Sequence, residues 1–113
     1  MSKNASYFRG EKFNALAKNE GFRSRAAYKL TQIQKDFKVI KPGDKILDLG
    51  SAPGGWSQVA SNVLDGTGSI IAIDLLPMKK IKNVEFHQMD LKDIDKIYIQ
   101  KLSIVLSDIA PNI

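Results

Sequence analysis

Lys45-Ile-Leu-Asp-Leu49, followed without a break by Gly50-Ser-Ala-Pro-Gly-Gly55 and then by Trp56-Ser-Gln-Val-Ala-Ser-Asn-Val63, decides how the rest of the chain is read. The first run is short and apolar, as a buried strand is. In the last, Trp56, Val59, Ala60 and Val63 stand at i, i+3, i+4 and i+7, the apolar face of a helix that Asp65-Gly66 closes. Glycines between the two let the backbone turn tightly and approach a ligand where a Cβ would intrude, and the helix behind points its first amides at the same place. The loop is not G-x-G-x-x-G, because Ala52 stands where the second glycine belongs. Nor is it a Walker loop, since no Gly-Lys-Ser/Thr follows. By itself it reads either as a ligand cradle or as a tight strand-to-helix turn.

Toward the C-terminus the same grammar continues. Ser69-Ile-Ile-Ala-Ile-Asp74 reads as a second strand, Val84-Glu-Phe-His-Gln88 as a third and Leu102-Ser-Ile-Val-Leu-Ser-Asp108 as a fourth, stopped by Ala110-Pro111-Asn112. Residues 91–101 fit helix and strand templates alike. Strands alternating with crossovers predict an α/β fold with a parallel sheet and right-handed connections. Ligands in such sheets bind beyond the carboxyl ends of the strands, where Asp48, Asp74 and Asp108 all fall. Four parallel strands without a further strand or covering helix would leave an apolar edge, so the chain is expected to be part of a longer protein. Toward the N-terminus, Phe13, Leu16 and Ala17 predict a helix over 8–18 with a stop at Asn19-Glu-Gly21. Ser24 then reads as the N-cap of a second helix with Ala26, Leu30, Ile33 and Phe37 as its stripe, ending before Lys41-Pro-Gly43.

At 113 residues the chain has room for one modest core, and 43% hydrophobic with 26% charged residues is a globular balance. Without cysteine, a disulfide framework, a thiolate metal site and a cysteine nucleophile are excluded. The longest apolar runs are far too short to cross a bilayer, and Met1-Ser-Lys-Asn-Ala-Ser-Tyr7 lacks a signal-peptide core, so a cytoplasmic protein without membrane attachment is expected. Net charge is +5, but unevenly placed. Residues 1–45 hold eleven Lys and Arg against four Asp and Glu, a balance of +7, whereas residues 46–113 hold six against eight, a balance of −2. This asymmetry points either to a polyanion-facing segment or to helices with solvated lysine-rich faces.

Several residues carry possible chemistry. Asp74 lies 24 residues beyond Gly50, a spacing that suits an acceptor for ribose hydroxyls, although Asp before Leu-Leu-Pro also shapes a turn. Asp90 could accept from an exocyclic amine or cap a helix. Trp56 belongs to the helix stripe and so to the core, a role compatible with lining a nucleoside pocket. Lys29, with Arg25 one turn before it and Arg23 close by, could hold phosphates or be simply solvated. His87 is the one histidine, with no acid or histidine at metal-ligand spacing, so no metal site is expected.

Taken together, Arg23-Ser-Arg-Ala-Ala-Tyr-Lys-Leu30, Asp48-Leu-Gly-Ser-Ala-Pro-Gly-Gly-Trp-Ser57, Asp74-Leu-Leu-Pro77 and Ser107-Asp-Ile-Ala-Pro-Asn112 resemble, in order and spacing, the FtsJ family of S-adenosylmethionine-dependent ribosomal RNA 2′-O-ribose methyltransferases. The resemblance implies a Rossmann-like methyltransferase sheet, of which this chain holds the first four strands (45–113), preceded by a basic helical extension (1–44) that faces RNA. It implies that Gly54 and Trp56, with Gly50 and Gly55 of the same loop, line the S-adenosylmethionine pocket, that Asp74 meets the ribose and that Asp90 meets the adenine amine. Arg23, Arg25 and Lys29 would contact RNA phosphates. The family's catalytic set is Lys–Asp–Lys–Glu; Lys29 matches the first lysine and Asp108 the aspartate, while the second lysine and the glutamate fall beyond the fourth strand. The most similar members modify large-subunit ribosomal RNA in assembled particles, and the chain is expected to work as a monomer. With half of that set absent, these 113 residues are expected not to turn over by themselves.

Two rival classes share part of this pattern. A nicotinamide-dependent dehydrogenase has the same strand–glycine–helix–strand–aspartate plan, but Ala52 and the Ser-Asp-Ile-Ala-Pro-Asn segment count against it. A non-catalytic RNA-binding module needs the basic helices and has no use for Asp74. A truncated chain without any activity is the remaining alternative.

Overall fold

The computed structural model describes residues 21–97 and 99–108. Helix α1 (Ala26–Phe37) leads into β1 (Lys45–Leu49), helix α2 (Gly55–Leu64), β2 (Ser69–Asp74), β3 (Val84–Gln88), a short 3₁₀ helix (Leu91–Lys96) and β4 (Ile104–Ser107). All four strands are parallel, in the order β3-β2-β1-β4. The sheet therefore grows one way from β1 through β2 to β3, and β4 returns to the other side of β1. That reversal is the topological switch point, and ligand crevices form outside the carboxyl ends there. The sequence-based helix over 8–18 lies outside the described residues, and with it four of the eleven Lys and Arg of residues 1–45.

Register explains the placement of the core. Ile46, Ile70, Ile104 and Val84 stand in one row across the sheet, and Asp48, Ala72, Leu106 and Phe86 in the row two residues on, so both rows share a face. Against that face pack Ala27 and Leu30 of α1, Ile40, and Trp56, Val59, Ala60 and Leu64 of α2. The i, i+3, i+4 spacing of Trp56, Val59 and Ala60 is thus what turns α2 onto the sheet. Its C-terminus is closed by Asp65 in the left-handed region (φ 47), whose N–H donates to Ser61 O at 3.0 Å.

Three local expectations need correction. Ser24 is not the N-cap of α1: Arg25 occupies that position in αR conformation without a side-chain cap. The chain enters the helix through a tight turn, with Ala27 N–H donating to Ser24 O and Tyr28 N–H to Arg25 O, so a capping side chain is not called on. Phe37 does not belong to the buried stripe and is 74% exposed. The chain turns at Lys38 (φ 49), and the Gln34 side-chain amide both donates to Ile40 O (2.7 Å) and accepts from Ile40 N–H (2.8 Å), which brings Ile40 into the core instead. The fourth strand is shorter than residues 102–108, because Ser103 binds Lys45 as a lead-in, its N–H to Lys45 O and its hydroxyl from Lys45 N–H. Between the strands, the ambiguous 91–101 stretch opens with the 3₁₀ turn, capped by Asp90, and Tyr98 lies outside the described residues.

Candidate active site

At the carboxyl ends of the strands three carboxylates converge. Asp48 is the penultimate residue of β1, Asp74 the last of β2, and Asp108 the first after β4. Asp48 faces the helices and is 1% exposed, with the Ser57 hydroxyl of α2 donating to its Oδ2 at 2.7 Å. Its carboxyl is pushed up to about 6, chiefly by burial, against which the Ser57 hydrogen bond acts; the charges of Asp108 and Asp74 push further in the same direction. The three acids therefore form one electronegative end of the sheet.

The glycine loop is fastened to that end. Gly50 and Ser51 both donate to Ile73 O, at 2.8 and 3.1 Å, and Ala52 N–H donates to Asp74 Oδ2 at 2.8 Å. Asp74 Oδ1 takes the Leu76 N–H at 2.9 Å, so the carboxylate orders the segments on both sides of it while each oxygen keeps a lone pair free. Gly54 is the N-cap of α2 at φ 119, a conformation open to glycine, and a Cβ there would lie 2.8 Å from Ile81 Cδ1. Gly55 serves helix–helix contact, since a Cβ would meet Ser24 Oγ and lie 3.3 Å from Ala27 N. Trp56 is 9% exposed, and its indole Nε1–H donates to Ala26 O at 2.7 Å, binding α2 to the start of α1. Of the residues expected to line a cofactor pocket, Gly50 is tied to the end of β2 through Ile73 O and Asp74 holds the same loop through Ala52 N–H, while Gly54, Gly55 and Trp56 fix the start of α2. Ser51 Oγ is buried in the same loop with no hydrogen-bond partner among the described residues. A buried hydroxyl left this way marks where a ligand or water group belongs.

Lys29 and Asp108, distant in sequence, meet: Lys29 Nζ stands 3.5 Å from Asp108 Oδ1. The lysine is largely exposed, so the pair is worth at most about 1 kcal/mol to the fold, and its interest is positional. Arg25 is exposed at the head of α1. Arg23 is otherwise engaged: its guanidinium donates to the carbonyls of Pro53 (3.2 Å), Lys79 and Lys80 (2.8 Å). Asp90 caps the 3₁₀ helix, Oδ1 accepting from Lys92 N–H at 3.0 Å. His87 pairs with Glu85 on the same strand, at 2.6 Å. A cleft of about 490 Å³ lined by Lys45, Ile46, Ser69, Ile70, Val84 and Glu85 lies at the amino ends of the strands, away from the three aspartates and the glycine loop.

Residue pattern alone assigns no chemistry to Asp48 beyond its place at a strand end, and none to Ser51 or Ser57. The signal was there for Asp48: an acid two residues after Ile46 in an otherwise apolar strand must share the buried face, which is costly without a reason. The cost is measurable. The folded state binds the Asp48 proton more tightly than the unfolded chain does, so its contribution to stability is complete below the ordinary aspartate value of 3.8 and is lost as pH rises to about 6. Asp48→Asn, which keeps an acceptor for Ser57, should match the wild type at low pH. Above neutrality it should be more stable, on the order of 2–3 kcal/mol. Urea denaturation of both chains at several pH values reads this out, and a difference that does not grow between pH 4 and 7 would contradict the burial of the charge.

A parallel sheet with a glycine loop after β1 and acids at the ends of β1, β2 and β4 defines a class of nucleoside-cofactor α/β folds. Within it, the profile of FtsJ-like methyltransferases matches residues 22–113, and the chain belongs to that family. It is similar to the crystal structure of a Plasmodium falciparum protein assigned as a ribosomal RNA methyltransferase, with 33% identity and a TM-score of 0.70 over 81% of this chain and 58% of that one. A Thermoplasma acidophilum protein assigned as a methyltransferase shares the fold at 24% identity and a TM-score of 0.53, over 63% of this chain and 35% of that one. So does a Lactococcus lactis protein assigned as a hemolysin, at 21% identity and a TM-score of 0.65, over 79% and 46%. The chain spans somewhat more than half the length of the Plasmodium structure.

Proposed function

We propose that this chain is the cofactor-binding half of an S-adenosylmethionine-dependent enzyme that methylates a ribose 2′-hydroxyl of large-subunit ribosomal RNA. The observation that carries the reading is the meeting of Lys29 with Asp108 at the same sheet end where Asp74 anchors the glycine loop. On this reading residues 45–113 hold the cofactor, residues 1–44 grip RNA, and the protein acts as a cytoplasmic monomer.

The residues present suit that cofactor. Asp74 has lone pairs left for ribose hydroxyls, and Asp90 Oδ2 for an amine. Ser51 offers a buried hydroxyl without a partner among the described residues. The acidic end formed by Asp48, Asp74 and Asp108 favours a cationic ligand, whose charge would offset those of Asp108 and Asp74, which add to the main effect of burial in raising the Asp48 carboxyl. Bound there, S-adenosylmethionine supplies a methyl group already activated on a sulfonium. Lys29 and Asp108 act by orientation: the carboxylate holds the ammonium at the strand ends, where it can position a ribose oxygen and bias its proton. Orientation is all that these two residues supply, so they alone are not expected to sustain turnover.

Isothermal titration of the purified chain with S-adenosylmethionine, beside a circular dichroism scan, is the test. Saturable binding by a folded chain is expected, together with no tritium transfer to ribosomal particles. A well-folded chain that does not bind would overturn the site assignment, and methyl transfer by this chain alone would overturn the proposed division of labour.

A further inference from the structure

The positive excess lies before residue 46, yet the loop between β2 and β3 concentrates charge of its own: Lys79, Lys80 and Lys82 occupy three of four consecutive positions, and all are exposed. The ion pairs among the described residues are Lys29–Asp108, His87–Glu85 and Lys96–Asp93, so none of the three lysines is paired there. The backbone that carries them is held firmly. Arg23 donates to the carbonyls of Lys79 and Lys80 and to Pro53 of the glycine loop, and the Ser61 hydroxyl donates to Lys82 O at 2.9 Å. On either side of Lys79 and Lys80, Met78 and Ile81 turn inward, with Met78 Sδ and Ile81 Cδ1 closing over Gly54. Carbonyls and apolar groups thus point in and three ammonium groups are exposed, with the Arg23 charge behind them and exposed Arg25 two residues on, at the N-cap of α1. Two acids border this face: Asp65 shares a groove with Lys82, and Glu85 lines a cleft with Lys80. Like charges gathered on a fixed backbone repel one another, and a polyanion relieves that repulsion.

We propose that Lys79, Lys80 and Lys82 form a second phosphate-contacting face for RNA, set in place by Arg23 through its carbonyl bonds. The inference rests on the reading of RNA as substrate and adds a surface to it: Arg23 is a positioning residue for the lysine loop. A membrane surface is the less favoured partner, because the apolar residues interleaved with the lysines face inward, although Leu75 and Leu76 at the head of the loop are exposed.

The probe is a fluorescein-labelled single-stranded RNA of mixed sequence, followed by anisotropy over a series of salt concentrations. The triple variant Lys79→Gln, Lys80→Gln, Lys82→Gln should bind roughly tenfold or more weakly. Its slope of log affinity against log salt should be shallower by about 2, the loss of three single-strand phosphate contacts. Its circular dichroism and its affinity for S-adenosylhomocysteine should not change. Arg23→Lys keeps the charge but loses the planar fork, and its slope should move toward that of the triple variant. If the wild type binds RNA and the triple variant binds it with the same slope, the lysine face is refuted while the RNA reading stands. A folded wild type that binds no RNA removes both. Preferential binding of the lysine loop to phosphatidylserine vesicles, with the RNA slope unchanged by the triple variant, also overturns the proposal.

Discussion

Replacing Asp74 with alanine should weaken S-adenosylmethionine binding by at least about a hundredfold, or ~3 kcal/mol, the scale of two hydrogen bonds to a charged acceptor. The same carboxylate holds Ala52 N–H and Leu76 N–H, so part of the loss will come from a loosened glycine loop and part from the missing acceptors. Two measurements separate them. Asp74→Asn keeps one carbonyl oxygen and should fall between wild type and alanine. An analogue of the cofactor lacking ribose hydroxyls should bind the wild type poorly and lose little more in Asp74→Ala, the non-additivity expected of partners in contact. RNA affinity should survive the change, because Asp74 carries no phosphate contact. If the analogue and the variant lose affinity additively, Asp74 acts on the loop alone and the ribose contact falls.

The same residues show how much the sequence could reveal. The strands at 45–49, 69–74 and 84–88 were legible because apolar runs bounded by Gly, Pro and Asp leave few alternatives, and their alternation with α2 implied a parallel sheet. The pairing of Lys29 with Asp108 follows from the family resemblance and from no spacing rule, since 79 residues of chain separate them. What stayed hidden depends on long-range partners. Phe37 and Ile40 are both apolar near a helix end, and only the double hydrogen bond of Gln34 to Ile40 decides which is buried. Arg23 reads as a phosphate ligand by residue type, yet its guanidinium binds carbonyls 30, 56 and 57 residues away. Periodicity sees neighbours along the chain and cannot see these.

Gly68→Ala should be the most destabilising of the glycine substitutions in the loops. Gly68 stands just before β2 at φ +62, where a Cβ would lie 2.8 Å from the Gly43 carbonyl carbon and closer still to the Asp44 carbonyl oxygen. Those contacts are backbone, so no side chain can swing aside. Relief requires the 43–44 segment to move, which breaks the Ser69 N–H bond to Asp44 O (3.1 Å) and disturbs the Gly43 N–H bond to the Thr67 hydroxyl (2.7 Å). Both bonds hold the entrance of β1 against that of β2, the pair at the centre of the sheet. Left-handed strain for alanine costs about 1–2 kcal/mol, and the displaced contacts should bring the total to roughly 3–5 kcal/mol. That is a large share of the ~5–15 kcal/mol typical of a whole domain. Gly66→Ala supplies the control, because Gly66 has a comparable φ of +83 with nothing within 4 Å of its Cβ position, leaving strain alone. Urea denaturation followed by far-ultraviolet circular dichroism should therefore place Gly68→Ala well below Gly66→Ala, with the gap measuring the close approach. Equal midpoints for the two variants would mean that the 43–44 turn yields freely, and the tight junction between β1 and β2 would have to be given up.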